Sequence, residues 1–491
     1  AAAAAVAADD TTKPSPTPSP PDEEQFALLT EINHMWGTCV FAPATTNLRG
    51  LAKKGLLKSS NDPNLDVNQE ALTLPVTLAK LTEIFLDNQQ LVLEEYSSDP
   101  GIPFHISVLT EYQQKYSTYF LEQEQFVVFN DTNKESQLVY GILVNNSLKR
   151  ITLVFRGSVT TMDYKMDFKI GMDKLVADGG NDGGGKGRKV FVHRGFSTYL
   201  LDPKHNSKIP GESGGNTGEP GCGESKFDEI KRELDKCSAK YPDHRLYVTG
   251  HSLGGSLALI AAFQLAPSLT YGRPLKASSP DTTGDGVGGG ISINTPRPLT
   301  NITFGPLQVG DIRFRQEFAS MECEGLINNL NIVNRGDLIP LYPVWTGTRW
   351  YRFVGNKMKL ANQTSEDLEK KSKNERLARK IERIKMSTIS RAPETNSCFM
   401  AWLRDVPNQI KYTGMLFRVL LCERSFWLNH TVTETSVNLK ANADLLKLLT
   451  WDELYKESRP TASSSGKVQS HGRASFALPK FVGGLTSSIS E

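Results

Sequence analysis

The clearest hydrophobic pattern in the chain is a short apolar run, Leu246-Tyr247-Val248, that breaks at Thr249-Gly250-His251-Ser252 and resumes as Leu253-Gly254-Gly255-Ser256-Leu257-Ala258-Leu259-Ile260-Ala261-Ala262-Phe263. A brief apolar run followed by a longer Ala/Leu-rich one predicts a buried strand, a sharp turn and a buried helix. Other strand patterns are Phe126–Phe129, Gln137–Val144, Ile151–Phe155, Lys189–Val192, Ile302–Phe304 and Leu330–Val333. Helical patterns fill the N-terminal part. Phe26, Leu29 and Ile32 share a face, and Val76 to Tyr96 reads as one amphipathic run with Leu78, Leu81, Phe85, Leu86 and Leu93 near one stripe. Phe227, Ile230, Leu234 and Cys237 mark a further helix just before the Leu246 strand. Strands alternating with helices predict an α/β fold with a mostly parallel sheet and helices on both faces.

Polar and low-complexity stretches divide the chain. Residues 1–22 are Ala-rich and then Pro/Ser/Thr-rich, and 456–491 is a Ser/Gly-rich tail; both compositions lack the apolar content of a packed core. Between them we expect an N-terminal helical region, 23–125, and an α/β domain, 126–455. The Gly-rich stretches 179–187, 210–224 and 277–290 read as surface insertions. A charged helical insertion is expected over about 356–395, with Leu377, Ile381 and Ile384 as its thin apolar stripe. That stripe fits docking onto the protein better than contact with a membrane surface.

Composition narrows the function classes. The net charge of +2 implies no strong electrostatic partner and argues against nucleic acid. No run of about 18 apolar residues suggests a membrane span. The six cysteines permit three disulfides in any of 15 pairings, and none forms a Cys-x-x-Cys pair, so no metal is expected. Asn-x-Ser/Thr sequons at Asn130, Asn145, Asn301, Asn362 and Asn429 fit secretion or an organelle lumen, while a cytoplasmic location stays open.

The turn itself carries the chemistry. Gly250-His251-Ser252-Leu253-Gly254 is the Gly-x-Ser-x-Gly nucleophile elbow, in which Ser252 is thrown into strained dihedrals and Gly250 and Gly254 leave room for it. Gly-His-Ser-Leu-Gly-Gly-Ser-Leu-Ala resembles the class 3 (fungal-type, triacylglycerol) lipase family of the α/β-hydrolase superfamily. The resemblance implies a serine ester hydrolase, a lipase cleaving acyl esters of acylglycerols through an acyl-enzyme intermediate, with no cofactor. A phospholipase A1, a galactolipase or a feruloyl-type esterase on the same fold is the alternative, as is a non-catalytic lipase-like scaffold. The implied partners are an acyl lipid or other ester and a transient lipid–water interface.

In α/β-hydrolases the triad follows the order Ser, acid, His. His34, His105, His193, His205, His244 and His251 all precede Ser252, leaving His430 and His471. His471 falls in the tail, whereas His430 follows the bulky Phe426-Trp427-Leu428, so His430 is the expected base. Asp337 and Asp311 are both candidate acids, each in a turn context; Val333-Asn334-Arg335-Gly336-Asp337-Leu338-Ile339-Pro340 is similar to the family's acid motif and favours Asp337. The oxyanion hole is expected from the backbone N–H of Leu253 and from Ser158 in Phe155-Arg156-Gly157-Ser158, which resembles the family's oxyanion segment. Val192-His193-Arg194-Gly195-Phe196, the pair Asp163 and Asp167, and Phe304–Asp311 resemble further family segments, the last departing from the pattern because Pro306 directly follows Gly305. Val159–Ile170 matches the position of a lid in several members.

Overall fold

The computed structural model describes residues 28–59, 65–97, 102–116, 120–132, 137–158, 171–176, 189–203, 224–269, 293–334, 337, 339–341, 351–360, 432–446 and 449–455. Its centre is an eight-stranded sheet in the order β1-β2-β3-β4-β7-β8-β9-β10. The strands are β1 (Val76–Thr77), β2 (Glu124–Asn130), β3 (Tyr140–Asn145), β4 (Arg150–Phe155), β7 (Arg245–His251), β8 (Leu299–Phe304), β9 (Ile327–Asn334) and β10 (Asn356–Leu360). From β4 to β10 all neighbours are parallel, and β1 to β4 pair antiparallel. The remaining strands, β5 (Met172–Val176) and β6 (Lys189–His193), form a separate hairpin. This is the α/β-hydrolase arrangement, a mixed sheet dominated by its parallel half.

The strand patterns of the sequence land where they were expected, and the differences have physical causes. The stretch Val76–Tyr96 is not one helix. Val76–Thr77 pairs with Phe126 and Gln125 as β1, and the Thr77 hydroxyl then caps a helix by accepting the Lys80 N–H at 3.2 Å. A second break falls at Asn88, whose side chain bonds back to Ile84 O and across to Lys58. Residues 356–360, placed by sequence in a charged helical insertion, instead form β10, with Lys357 and Lys359 on one side and Met358 and Leu360 buried on the other. Lysines of this kind are usual on an edge strand, where they discourage further pairing. The rest of the charged segment, the tails, the three Gly-rich insertions except Glu224, and 159–170 lie outside the described residues.

Helices cover both faces. On one side runs α1 (Leu28–Lys53), of whose 26 residues 21 are buried, backed by α2 (Val67–Leu72), α3 (Leu78–Asp87), α4 (Gln89–Glu95) and α5 (Ile102–Tyr116). The other side carries α6 (Arg194–Leu201), α7 (Lys226–Lys240), α8 (Leu253–Leu265) and α9 (Ile312–Cys323). The expected apolar side of α7 is realised, and Ser225 and Asp228 close a capping box at its start. Three late helices, α10 (Val432–Ala441), α11 (Ala443–Leu446) and α12 (Trp451–Tyr455), pack onto the α1 side.

Between α1 and the starts of β4 and β7 lies a buried polar cluster. Arg150 Nη2 donates to Glu124 Oε2 at 2.7 Å, and the two side chains are 3% and 0% exposed. Glu31 accepts from Tyr247 Oη at 2.8 Å and from Trp451 Nε1 at 2.7 Å, and burial raises its carboxyl above the ordinary value. His34, stacked on Phe120, is pushed well below the usual imidazole range by burial and secondarily by Arg150. A buried pair of this kind resists removal of either member, because the survivor is left charged without a partner.

Two of the glycosylation sequons fall in the core. Asn145 and Asn301 are 0% exposed, Asn145 donating to Glu124 and Asn301 to Asn329, so neither accepts a glycan in the folded chain. Cys39, Cys237 and Cys323 form no disulfide with one another. No helix among the described residues is long and apolar enough to cross a membrane.

Candidate active site

The end of β7 and the start of α8 form the strained turn that the sequence requires. Ser252 has φ 58° and ψ −125°, a left-handed conformation that a side chain normally avoids. What holds it there is visible in the backbone contacts. The Ser252 N–H donates to Phe304 O at the end of β8 at 2.9 Å, and Ser252 O accepts the Ser256 N–H at 3.1 Å, which starts α8. A Cβ on Gly250 would lie 2.3 Å from the carbonyl of Gly254, and one on Gly254 would lie 2.4 Å from Phe155 O. Both positions therefore demand glycine for space, because the helix start is pressed between β7 and the end of β4.

The neighbouring loops converge on that point. Gly157, on the segment leaving β4, sits so close to His251 O that a Cβ would be 2.9 Å away. Ser158 thus follows directly from a loop resting on the elbow, and the Leu253 N–H is the first of the helix. Unpaired N–H groups at a helix start favour negative charge. Past β8, Gly305 (φ 56°) turns the chain, its N–H donating to Ile332 O at 2.7 Å, and Leu307 N–H donates to Ser256 Oγ at 2.9 Å. Pro306 comes within 3.2 Å of where a Gly255 Cβ would stand, so the departure at Gly305-Pro306 is accommodated by another small residue on α8.

Asp337 lies just beyond β9, 8% exposed. Its N–H donates to Asn334 O at 3.3 Å, and its Oδ1 accepts the Ile339 N–H at 3.0 Å. The Lys357 ammonium, pushed down to about 7 by burial and by Lys359, is partly held up by the Asp337 charge. The competing acid has a different occupation. Asp311 caps α9, taking the Phe314 N–H at 2.8 Å and lying 3.4 Å from the Phe191 N. Ser252, Ser158 and Asp337 therefore stand past the carboxyl ends of the parallel strands β7, β4 and β9, where open α/β sheets place their ligands.

His430 and His471 lie outside the described residues, as do Asp163, Asp167 and the Val159–Ile170 segment. The helix that begins two residues after His430 is described. Its Thr435 and Asn438 bond to Asn334, and its Ser436 accepts from Trp36 Nε1 at 2.7 Å. Trp36 in turn meets the His251 ring edge-on at 5.8 Å and the Phe304 ring at 4.8 Å. Sequence reading missed both Trp36 and the bonding role of Asn334. Neither residue type carries chemistry of its own, and the signal was an odd one: Thr435, Ser436 and Asn438 clustered on a short helix. His193, in the family-like Val192–Phe196 segment, is 0% exposed and stacked on Phe196 at 4.0 Å, and burial takes its imidazole down to about 4. Among the described residues no three metal-ligating side chains converge.

A parallel-dominated sheet with a strained serine at a strand–helix turn defines the α/β-hydrolase class. Within that class, residues 152–347, from β4 to the chain beyond β9, match the family "Lipase (class 3)". Among curated relatives, "Phospholipase A1-II 7" of Oryza sativa subsp. indica is 27% identical over 195 residues, 39% of this chain and 41% of the relative. "Putative lipase LIH1" of Saccharomyces cerevisiae is 24% identical over 352 residues, 66% of this chain and 88% of the relative. The chain spans about two fifths of the length of the rice relatives. Among solved structures, Lip2 lipase of Yarrowia lipolytica is 19% identical with a TM-score of 0.33, over 48% of this chain and 66% of that one.

Proposed function

We propose that the chain is a serine carboxylic ester hydrolase acting on acylglycerols or related acyl lipids, with Ser252 as nucleophile, His430 as base and Asp337 as the acid that orients it. The observation that carries this reading is the positive φ of Ser252, locked by Gly250 and Gly254 at the end of β7. Strain of that order costs roughly 1 to 3 kcal/mol and persists where it serves a site.

In this mechanism His430 takes the Ser252 proton as Oγ attacks the ester carbonyl. The developing oxyanion is bound by the Leu253 N–H and by Ser158. Collapse expels the alcohol, which receives the proton from His430, and leaves the acyl group on Ser252. Water, deprotonated by His430, then attacks the acyl-enzyme and releases the carboxylic acid. Asp337 accepts from the imidazole and stabilises its charged form. The resemblance of the Asn334–Pro340 segment to the family's acid motif and the capping role of Asp311 both support Asp337 over Asp311.

The test is hydrolysis of triacylglycerols of graded chain length by the parent chain and by Ser252→Ala, Asp337→Asn and His430→Ala. Losses of roughly 10⁴-fold or more in kcat for Ser252→Ala and His430→Ala are expected. An unchanged rate in His430→Ala removes that residue from the mechanism. The rice relative named as a phospholipase A1 favours a second reading, cleavage of the sn-1 acyl ester of a phospholipid. Phosphatidylcholine in the same substrate panel decides between the two.

A further inference from the structure

The described part of helix α10 buries mostly polar side chains. Thr435, Ser436, Asn438 and the following Asn442 are buried at 5%, 7%, 2% and 5% exposure, while Val437 is 52% exposed. A helix docked by the hydrophobic effect shows the opposite pattern. Among the described residues of α10, Leu439 is the apolar one in the core cluster. What fixes α10 is a set of directed bonds. Asn334 uses both ends of its amide on it: Nδ2 donates to Thr435 Oγ1 at 2.9 Å, and Oδ1 accepts from Asn438 Nδ2 at 3.1 Å. One residue further along the same turn, Ser436 takes the Trp36 indole N–H at 2.7 Å.

These anchors are placed at the site. Asn334 is the last residue of β9, and its own carbonyl accepts the Asp337 N–H. Trp36 packs on Phe304, whose carbonyl holds the Ser252 N–H, and on His251, the residue before Ser252. One side chain thus ties α10 to the turn bearing the acid, and another ties it to the elbow. Apolar packing tolerates sliding, whereas directed bonds between buried groups fix position to a fraction of an ångström, because a misplaced donor goes unsatisfied.

We propose that Asn334 is a positioning residue: by gripping Thr435 and Asn438 while supporting the Asp337 turn, it sets where α10 stands relative to the acid. This rests on the hydrolase reading above, in which His430 lies two residues before α10. A shift of about 1 Å in such a group can cost about a hundredfold in rate.

The experiment compares the full chain with Asn334→Leu, Thr435→Val and Thr435→Ser, on a soluble short-chain p-nitrophenyl ester across pH 5 to 9, with melting temperature measured in parallel. The expected result for Asn334→Leu is a fall in kcat of roughly ten- to a hundredfold with KM little changed, and an altered basic-form limb of the pH–kcat profile. Thr435→Val should fall in the same direction, and Thr435→Ser, which keeps the hydroxyl, should restore the rate. In a His430→Ala background Asn334→Leu should cause no further loss, because both act through one group. Should Asn334→Leu fail to fold, the Thr435 pair decides alone. A folded Asn334→Leu, or Thr435→Val, with the parent kcat and pH profile overturns the proposal while leaving the hydrolase reading intact. An inactive parent chain that also fails to react with a fluorophosphonate overturns both.

Discussion

Helices α8 and α10 flank the same site and are held by opposite means. α8 starts at the residue after Ser252, and 12 of its 13 residues are buried. Apart from Ser256 and Gln264 it is apolar, and it is wedged against β4, β7 and β8, so burial is its main anchor, with glycines letting it approach. α10 starts two residues after His430 and presents hydroxyls and amides inward, so bonds to Asn334 and Trp36 fix it. The nucleophile side is built to be rigid by packing. The proposed base side is built to be placed by a few specific atoms, and is correspondingly sensitive to single polar substitutions.

The largest expected effect is on the packed side. Gly254→Ala or Gly250→Ala puts a methyl carbon 2.3 to 2.4 Å from backbone atoms that have nowhere to move. Losses of at least about 3 kcal/mol are expected, the upper range for overpacking, seen as a large drop in denaturant midpoint. A stable Gly254→Ala protein would show that the elbow is looser than its contacts imply.

His193 offers an intermediate case, a polar ring buried by packing like α8 rather than bonded like α10. Its imidazole is depressed from 6.5 to about 4 by burial, opposed by Asp173. The unfolded chain therefore binds this proton at higher pH than the folded one. The contribution is fully present above pH 6.5 and is lost as pH falls towards 4, about 3 kcal/mol in all at roughly 1.36 kcal/mol per unit. Urea unfolding of the parent chain and His193→Leu at pH 7 and pH 4.5 checks it. The acid-induced loss should be smaller in the variant.

Much of the molecule was legible in the chain because α8 and the strands are specified locally. Leu246–Val248, the glycines and the Ala/Leu run declare themselves by hydrophobic pattern, and the core strands by their β-branched and aromatic content. β10 was missed because Lys357 and Lys359 break its apolar run, and β1 because a two-residue strand has no period to detect. The Asn334–Thr435 bond spans 101 residues and joins two side chains that are each unremarkable in their own segment. Only the assembled sheet brings them together, so no local pattern announces it. The burial of Asn145 and Asn301 was hidden for the same reason, since a sequon reads alike on a loop and in a core strand.

Smaller effects sharpen the polar side of the comparison. Trp36→Phe keeps most of the ring contact with Phe304 and removes the donor to Ser436, so a loss of about 1 to 3 kcal/mol is expected by calorimetry. Val437→Lys, on the outward face, should stay within about 0.5 kcal/mol of the parent. A large loss there would mean that the outer face of α10 is covered.

The proposed chemistry depends most on Ser252 being a nucleophile. Its direct measurement is reaction of the intact chain with a fluorophosphonate probe, followed by peptide mass spectrometry to locate the adduct. The predicted result is a single adduct on Ser252, absent in Ser252→Ala and strongly slowed in His430→Ala. A folded chain that stays unlabelled, or is labelled at another serine, contradicts it.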